Sequence, residues 1–466
     1  MNPEEQLPKR STLWFSEEEK TTTSAKVLDK ITVIFAIFLA TFSLVVFWPI
    51  ISKIDFEEAF FTPLTPFLIA VGKSFNINAN QSIRILFISS FIISILGVYF
   101  LVRDLTKRYL PAILSAIIYL IPPIPIFVLS FLRIGLLEKE LASAKSFFTI
   151  VYGDGANFMA LALVPFATLF FLRFLKGAKK ADLVVTVCFS VLILLANRSQ
   201  ALSLVLVLTV CLVTDSLLGL AREKFKRYLM VLILSAGLVS FWYTPYFWLQ
   251  GLMLFGNQFI KNIKFLFPLP FITAVLTLLF AFVFFARNEK RQAIVITFLV
   301  FVVFSGILFD WFVNSHSFVP HPHRMFASVI MFGSVLMALL ITHVIDWSNI
   351  TRRLKVEEWS AYGRALTAII FGFVSLIALS LVAYIFSPLA IMAIAGPKGI
   401  WTKVRLNVIA DRQETLNLAG GNFHLVHQNI DKWQIWLGMI TTLLFLAILT
   451  YLVFKAVTQE EAENDR

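Results

Sequence analysis

Charge is what this chain has least of. Only 15% of its 466 residues are Asp, Glu, Lys or Arg, 59% are hydrophobic, and mean hydropathy is +0.83. Soluble domains carry about 25% charged and about 45–50% apolar residues, so a water-soluble fold has no means of covering this much apolar surface. Cysteine is nearly absent: Cys188 and Cys211 both lie inside apolar runs, which excludes a disulfide framework and a cysteine zinc site. The sequence has no Gly-rich nucleotide-binding loop, no internal repeat and no low-complexity tract. The first thirty residues mix Glu17, Glu18 and Glu19 with Lys20, Lys26 and Lys30 and are not expected to act as a cleavable signal peptide.

What the chain has is long apolar runs. A helix needs about 20 apolar residues to cross roughly 30 Å of hydrocarbon. Runs that meet or approach this length are Ile31–Ile51, Ile83–Val102, Tyr109–Phe127, Phe158–Leu175, Leu183–Ala196, Ala201–Leu220, Tyr228–Leu249, Phe267–Ala286, Ile294–Phe312, Phe326–Ile345, Ala365–Ile385 and Trp433–Phe454. The expected fold is therefore an all-α polytopic membrane protein of about twelve transmembrane helices. Residues 1–30 and 455–466 are expected as cytoplasmic tails, 31–385 as the transmembrane core, 386–432 as an extracytoplasmic segment and 433–454 as the final span.

The fifth run is short, and the charges test it. With both termini inside, the inner loops hold Arg103, Lys107 and Arg108; Arg173, Lys176, Lys179 and Lys180; Arg222, Lys224, Lys226 and Arg227; Arg287, Lys290 and Arg291; and Arg352, Arg353, Lys355 and Arg364. With the two tails this makes 25 of the 40 basic residues, the positive-inside asymmetry. Omitting the fifth span would exchange the sides halfway and spoil that asymmetry. The net charge of +12 is thus topogenic, and no nucleic-acid partner is expected, since the charges form short clusters between apolar runs. The expected location is the cell membrane.

The outward segments carry the unusual chemistry. Residues 52–82 contain Asp55, Glu57 and Glu58, followed by Ala59–Val71, an apolar stretch too short to span and broken by Pro63 and Pro66, which predicts an interfacial or re-entrant helix. Carboxylates at a water–membrane boundary can act as general base on a hydroxyl or hold a divalent cation; simple solvation of a loop is the plainer reading. Residues 128–157 add Arg133 and Asp154. His321, His323 and Arg324 lie before the tenth span. A guanidinium suits phosphate because its fork pairs with two oxygens, and an interfacial anchor is the alternative. Two histidines separated by a proline make a weak metal motif. Arg198 follows the fifth span, where snorkelling to headgroups competes with anion binding. Trp242, Tyr243, Tyr246 and Trp248 form an aromatic belt or line a lipid-tail or sugar groove. The middles of the spans are almost free of Asp, Glu and Lys, which argues against an ion-coupled transporter.

Several stretches taken together carry a resemblance: Phe61–Leu68 (FTPLTPFL), Gly97–Leu105 (GVYFLVRDL), Phe131–Glu138 (FLRIGLLE), Gly153–Phe158 (GDGANF), Leu163–Phe166 (LVPF), Phe241–Tyr246 (FWYTPY) and His323–Phe326 (HRMF). With the order of first span, acidic outer loop, Pro-rich stretch and basic inner turn, the region of roughly 27–345 resembles the GT-C superfamily of multi-span membrane glycosyltransferases. The resemblance implies transfer of a sugar from a polyprenyl-phosphate donor to an acceptor on the outer face, with the essential acid in the first outer loop. Asp55, with Glu57 and Glu58, is then the catalytic candidate; Arg324, Arg133 and Arg198 are candidates for the donor phosphate; and His321, His323 and Asp154 complete the outer site. No cofactor is required, and a divalent cation is the one optional partner besides the lipid-linked sugar and membrane lipid. A lipid or polysaccharide flippase or export component, or an inactive relative of the enzymes, fits the same pattern.

Overall fold

In a computed structural model of the chain, residues 33–34, 37–38, 41, 62–120, 155–216, 220–249, 289–314, 322–353 and 432–464 are described. Among these residues 92% are helical and there is no strand. The elements are α1 (Leu64–Ser74), α2 (Ala79–Thr106), α3 (Tyr109–Leu120), α4 (Gly155–Gly177), α5 (Lys180–Ala196), α6 (Arg198–Ser216), α7 (Ala221–Leu238), α8 (Glu289–Asn314), a 3-10 turn (Pro322–Met325), α9 (Phe326–Arg353) and α10 (Lys432–Asn464). Among the described residues four helical stretches are long and apolar enough to cross a membrane: Gln81–Thr106, Asn157–Gly177, Ala327–Val344 and Lys432–Ala456. Such helices mark a membrane protein, since a helix is the only open element that satisfies its own backbone in hydrocarbon. The predicted spans Phe267–Ala286 and Ala365–Ile385, and the extracytoplasmic segment up to 431, lie outside the described residues, as does nearly all of Ile31–Ile51.

Successive helices run antiparallel, and the bonds at their ends record it. At one end the last turn of α2 meets the last turn of α4, with Arg173 Nη2 2.8 Å from Asp104 Oδ1. There too the end of α6 meets the starts of α7 and α8 through Asp215, Lys224 and Gln292. At the opposite end Thr62 Oγ1, just before α1, donates to the carbonyl of Ala196 at 2.6 Å, and Tyr243 Oη donates to the carbonyl of Leu194 at 3.2 Å. We call these the basic end and the aromatic end. The short fifth run therefore forms α5 and passes from one end to the other. Its 17 residues rise about 25 Å.

One expected span is divided. Tyr228–Leu249 reads as a continuous apolar run, but α7 starts earlier, at Ala221, and ends at Leu238, and helix resumes only at 245–249. Pro245 explains the restart. It has no N–H to donate to a preceding turn, it disfavours helical backbone at Thr244, and it suits the first position of a new helix.

The core is aromatic and glycine-fitted. Phe87 stacks on Phe158 with centroids 5.3 Å apart, and Phe304 on Phe332 at 6.2 Å. At Gly97 a Cβ would come within 2.8 Å of the Phe166 ring and 3.2 Å of Pro165, so the stretches Gly97–Leu105 and Leu163–Phe166 are pressed face to face and only a residue without a side chain fits. α10 stands apart. Its membrane-length window is 6% buried, and it touches the rest along one side only, against α5, α7 and the 239–244 turn. A Cβ on Gly237 would strike Phe445, and one on Gly438 would strike the Ser240 carbonyl. Trp433 and Trp436 are exposed at its start, and Tyr451 is exposed eighteen residues after Trp433, about 27 Å along the axis, which matches a hydrocarbon slab edged by aromatic residues.

Candidate functional site

At the aromatic end the chain reverses from α5 into α6 through the single residue Asn197. The Asn197 Oδ1 accepts the Gln200 amide at 3.3 Å, which opens α6 as a side-chain cap would. Gln200 is fully buried. Its Nε2 donates to the carbonyl of Arg324 at 3.5 Å, and its Oε1 accepts the Ser328 hydroxyl at 3.3 Å. One buried amide thus ties the start of α6 to the 3-10 turn and the first turn of α9. Arg198 and Arg324, read separately in the sequence, flank that tie. Arg324 is half-buried and Arg198 is exposed, with no hydrogen bond or ion pair for Arg198 among the described residues. The charge of Arg198 reaches the Tyr243 hydroxyl.

His323 sits in the same 3-10 turn as Arg324. Asp55, Glu57, Glu58, Arg133, Asp154 and His321 lie outside the described residues. Among the described residues no group of three His, Cys, Asp or Glu is placed to hold a metal ion.

The structure adds residues the sequence reading passed over. Asn157 is 4% exposed and Gln434 is 5% exposed; the side-chain oxygen of each has no hydrogen-bond partner among the described residues, and neither has the buried Nε1 of Trp248. All three lie toward the aromatic end. Buried polar atoms are nearly always partnered in folded proteins, so three at one end of a bundle are informative. Tyr243, Phe247 and Trp248 form a ring cluster with centroid separations of 5.1, 5.7 and 5.8 Å. The signal for Gln200 and Gln434 was present in the sequence, as uncharged amides in the first turn of apolar runs, but average hydropathy hides it. Arg84, in the second turn of α2, was hidden in the same way.

α1 is 11 residues long, too short to span. Thr62 fixes it beside α5, and Gly72 faces Ser82 of α2 so closely that a Cβ would collide with the hydroxyl. Phe67, Val71 and Phe75, four residues apart, are exposed, and that spacing puts them on one side of the helix.

The basic end is built differently. Lys224 Nζ lies 2.8 Å from Asp215 Oδ2 and donates to the Asp215 carbonyl at 2.6 Å. Gln292 Nε2 donates to Asp215 Oδ1 at 2.9 Å, and Lys176 Nζ donates to Gln292 Oε1 at 2.9 Å. Arg227 donates to the carbonyls of Phe174 and Leu175. Cations from the start of α7 therefore cap the carbonyl ends of α4 and α6, where the helix dipole is negative. Arg103 lies over the Tyr109 ring at 3.8 Å.

Compared with known proteins, the chain matches no family model, no curated protein and no solved structure.

Proposed function

We propose that this protein is a membrane glycosyltransferase of GT-C type, with about twelve spans and both termini cytoplasmic, that moves a sugar from a polyprenyl-phosphate donor to an acceptor on the outer face of the cell membrane. The observation that carries the reading is the tie at Gln200, which brings Arg198 and Arg324 to the same end of the bundle, opposite the end that gathers the basic inner loops. Helix α1, with its exposed Phe67, Val71 and Phe75, is the interfacial helix of the first outer loop.

The chemistry asks little of the protein beyond placement and charge. A carboxylate, Asp55 with Glu57 or Glu58 beside it, takes the proton of the acceptor hydroxyl. The acceptor oxygen bonds to the anomeric carbon as that carbon's bond to the phosphate oxygen breaks. The polyprenyl phosphate leaves with the electron pair, and Arg324, Arg198 and Arg133 meet the charge that develops on it. His321, His323 and Asp154 border the same outer surface. Where a divalent cation takes part, Asp55, Glu57 and Glu58 would hold it, and it would supply positive charge for the leaving phosphate.

The test is a transfer assay with polyprenyl-phosphate sugars on the protein in nanodiscs. The expected loss is about 100-fold or more in turnover for Arg324→Ala, with little recovery in Arg324→Lys, because an ammonium does not reproduce the fork. Full activity in the combined Asp55→Asn, Glu57→Gln variant removes the acidic-loop mechanism. Movement of the lipid-linked sugar across vesicles without bond transfer replaces the enzyme with a flippase.

A further inference from the structure

The seam between α10 and the α7 region orders a second set of groups at the aromatic end. Phe445 faces Gly237, Thr442 accepts the Phe241 amide at 2.8 Å, and Gly438 faces Ser240 and Thr244. Each step of about one turn toward the start of α10 advances the contact along the chain from 237 to 244. Gln434 is four residues before Gly438, on the same side of the helix. Extending that register by one turn directs Gln434 toward the segment after Thr244, which holds Phe247 and Trp248.

Here a buried acceptor without a partner, Gln434 Oε1, comes from one element, and a buried donor without a partner, Trp248 Nε1, from another. Between α5 and this turn stands Tyr243, packed against both Phe247 and Trp248, and its hydroxyl is anchored on Leu194. Arg198, whose charge reaches Tyr243, is at the margin. Small-molecule sites typically combine apolar and aromatic walls with a few fixed polar groups. A pyranose matches both parts. Its C–H face suits the electron-rich face of an aromatic ring, and its hydroxyls donate and accept at once, which fits one lone donor and one lone acceptor.

We infer that Trp248 and Gln434, with the Tyr243–Phe247–Trp248 rings, form a carbohydrate subsite that reads the sugar of the lipid-linked donor, next to Arg198 on its phosphate. The inference rests on the proposed transfer from a lipid-linked sugar, and its test is separate from the transfer assay.

Binding is measured for the full-length protein in nanodiscs with ten-carbon polyprenyl phosphates carrying glucose, galactose, mannose or N-acetylglucosamine, and with bare ten-carbon polyprenyl phosphate. At least one glycosylated lipid is expected to bind about 10-fold tighter than the bare lipid, the ratio that one or two hydrogen bonds supply. Trp248→Phe, which keeps a ring and removes the N–H, and Gln434→Leu are each expected to reduce this ratio about 3-fold or more and leave the affinity for the bare lipid unchanged. Arg198→Gln weakens both lipids alike. Gln434→Leu is also expected to keep or raise the unfolding temperature; a purely structural amide would lower it. A ratio that neither variant moves, or no sugar that improves on the bare lipid, overturns the subsite. Transfer activity with the ratio untouched by the variants leaves the enzyme standing and removes the subsite; a sugar-dependent ratio without transfer does the reverse.

Discussion

The two ends of the bundle differ in the buried polar groups they leave over. At the basic end Asp215, whose side chain is 2% exposed, meets Lys224 and Gln292, and Gln292 meets Lys176. Arg227 and Lys224 cap the carbonyls left over where α4 and α6 finish. At the aromatic end Asn157, Trp248 and Gln434 keep buried polar atoms that nothing among the described residues satisfies. An unsatisfied buried polar atom costs about 1–3 kcal/mol, and proteins tolerate such losses mainly where binding needs them. The difference separates an end built for holding helices together from one with polar groups left to offer.

The comparison breaks most easily at Asp215. Replacing it with Ala leaves the Lys224 ammonium buried beside its lost partner and is expected to cost about 3–5 kcal/mol, read as a fall in unfolding midpoint in detergent. The double replacement Asp215→Leu, Lys224→Met, which removes both charges, is expected to recover most of that loss, because a buried pair adds little net stability over a well-packed apolar one. A double variant as unstable as the single one would mean that the site serves more than pairing.

The helical part of the fold was legible because apolar runs bounded by basic clusters are a local signal. The clusters Arg173–Lys180 and Arg222–Arg227 flank helix boundaries and gather at one end, and the short run Leu183–Ala196 was retained on that argument; it forms α5. The divided seventh run was missed because apolar content continues through Leu238–Trp242 and only Pro245 marks the break. The Asp215 network was illegible for another reason: it joins residues 77 and 116 positions apart, and no periodicity spans such distances. In the sequence Asp215 is a single carboxylate near the end of an apolar run, with nothing local to mark its partners. For the candidate site, the sequence named Arg198 and Arg324 but not Gln200, the buried amide that connects them.

A middle-sized effect tests the seam. In Gly438→Leu the new side chain must displace the Ser240 backbone or push α10 outward. Overpacking of this kind costs about 1–3 kcal/mol. The hydrogen bond from the Phe241 amide to Thr442 should open with it, which faster amide exchange at Phe241 would report. Unchanged exchange would mean that α10 does not depend on the glycine seam, and the placement of Gln434 opposite Trp248 would weaken with it.

Asp104 gives the smaller counterpart of Asp215. It pairs with Arg173 and Lys107, whose side chains are 44% and 71% exposed. Asp104→Asn is expected to cost about 0.2–1 kcal/mol, and less as salt is raised, because exposed pairs are weak and screened. A loss equal to that of Asp215→Ala, or one insensitive to 0.5 M salt, would remove burial as the reason the two pairs differ.

The smallest expected change has the opposite sign. Asn157 opens α4 with a buried oxygen that has no partner, and Phe87 and Phe91 pack against the neighbouring Phe158. Leucine has the same branched heavy-atom skeleton, is a better helix former, and removes the unsatisfied acceptor. Asn157→Leu should therefore leave stability unchanged or raise it by up to about 1 kcal/mol. Only an end held polar for some purpose other than folding can gain from losing a polar group. If Asn157→Leu instead lowers the unfolding midpoint as much as Asp104→Asn does, then the amide is a structural member like those of the basic end, and the two ends differ in composition alone.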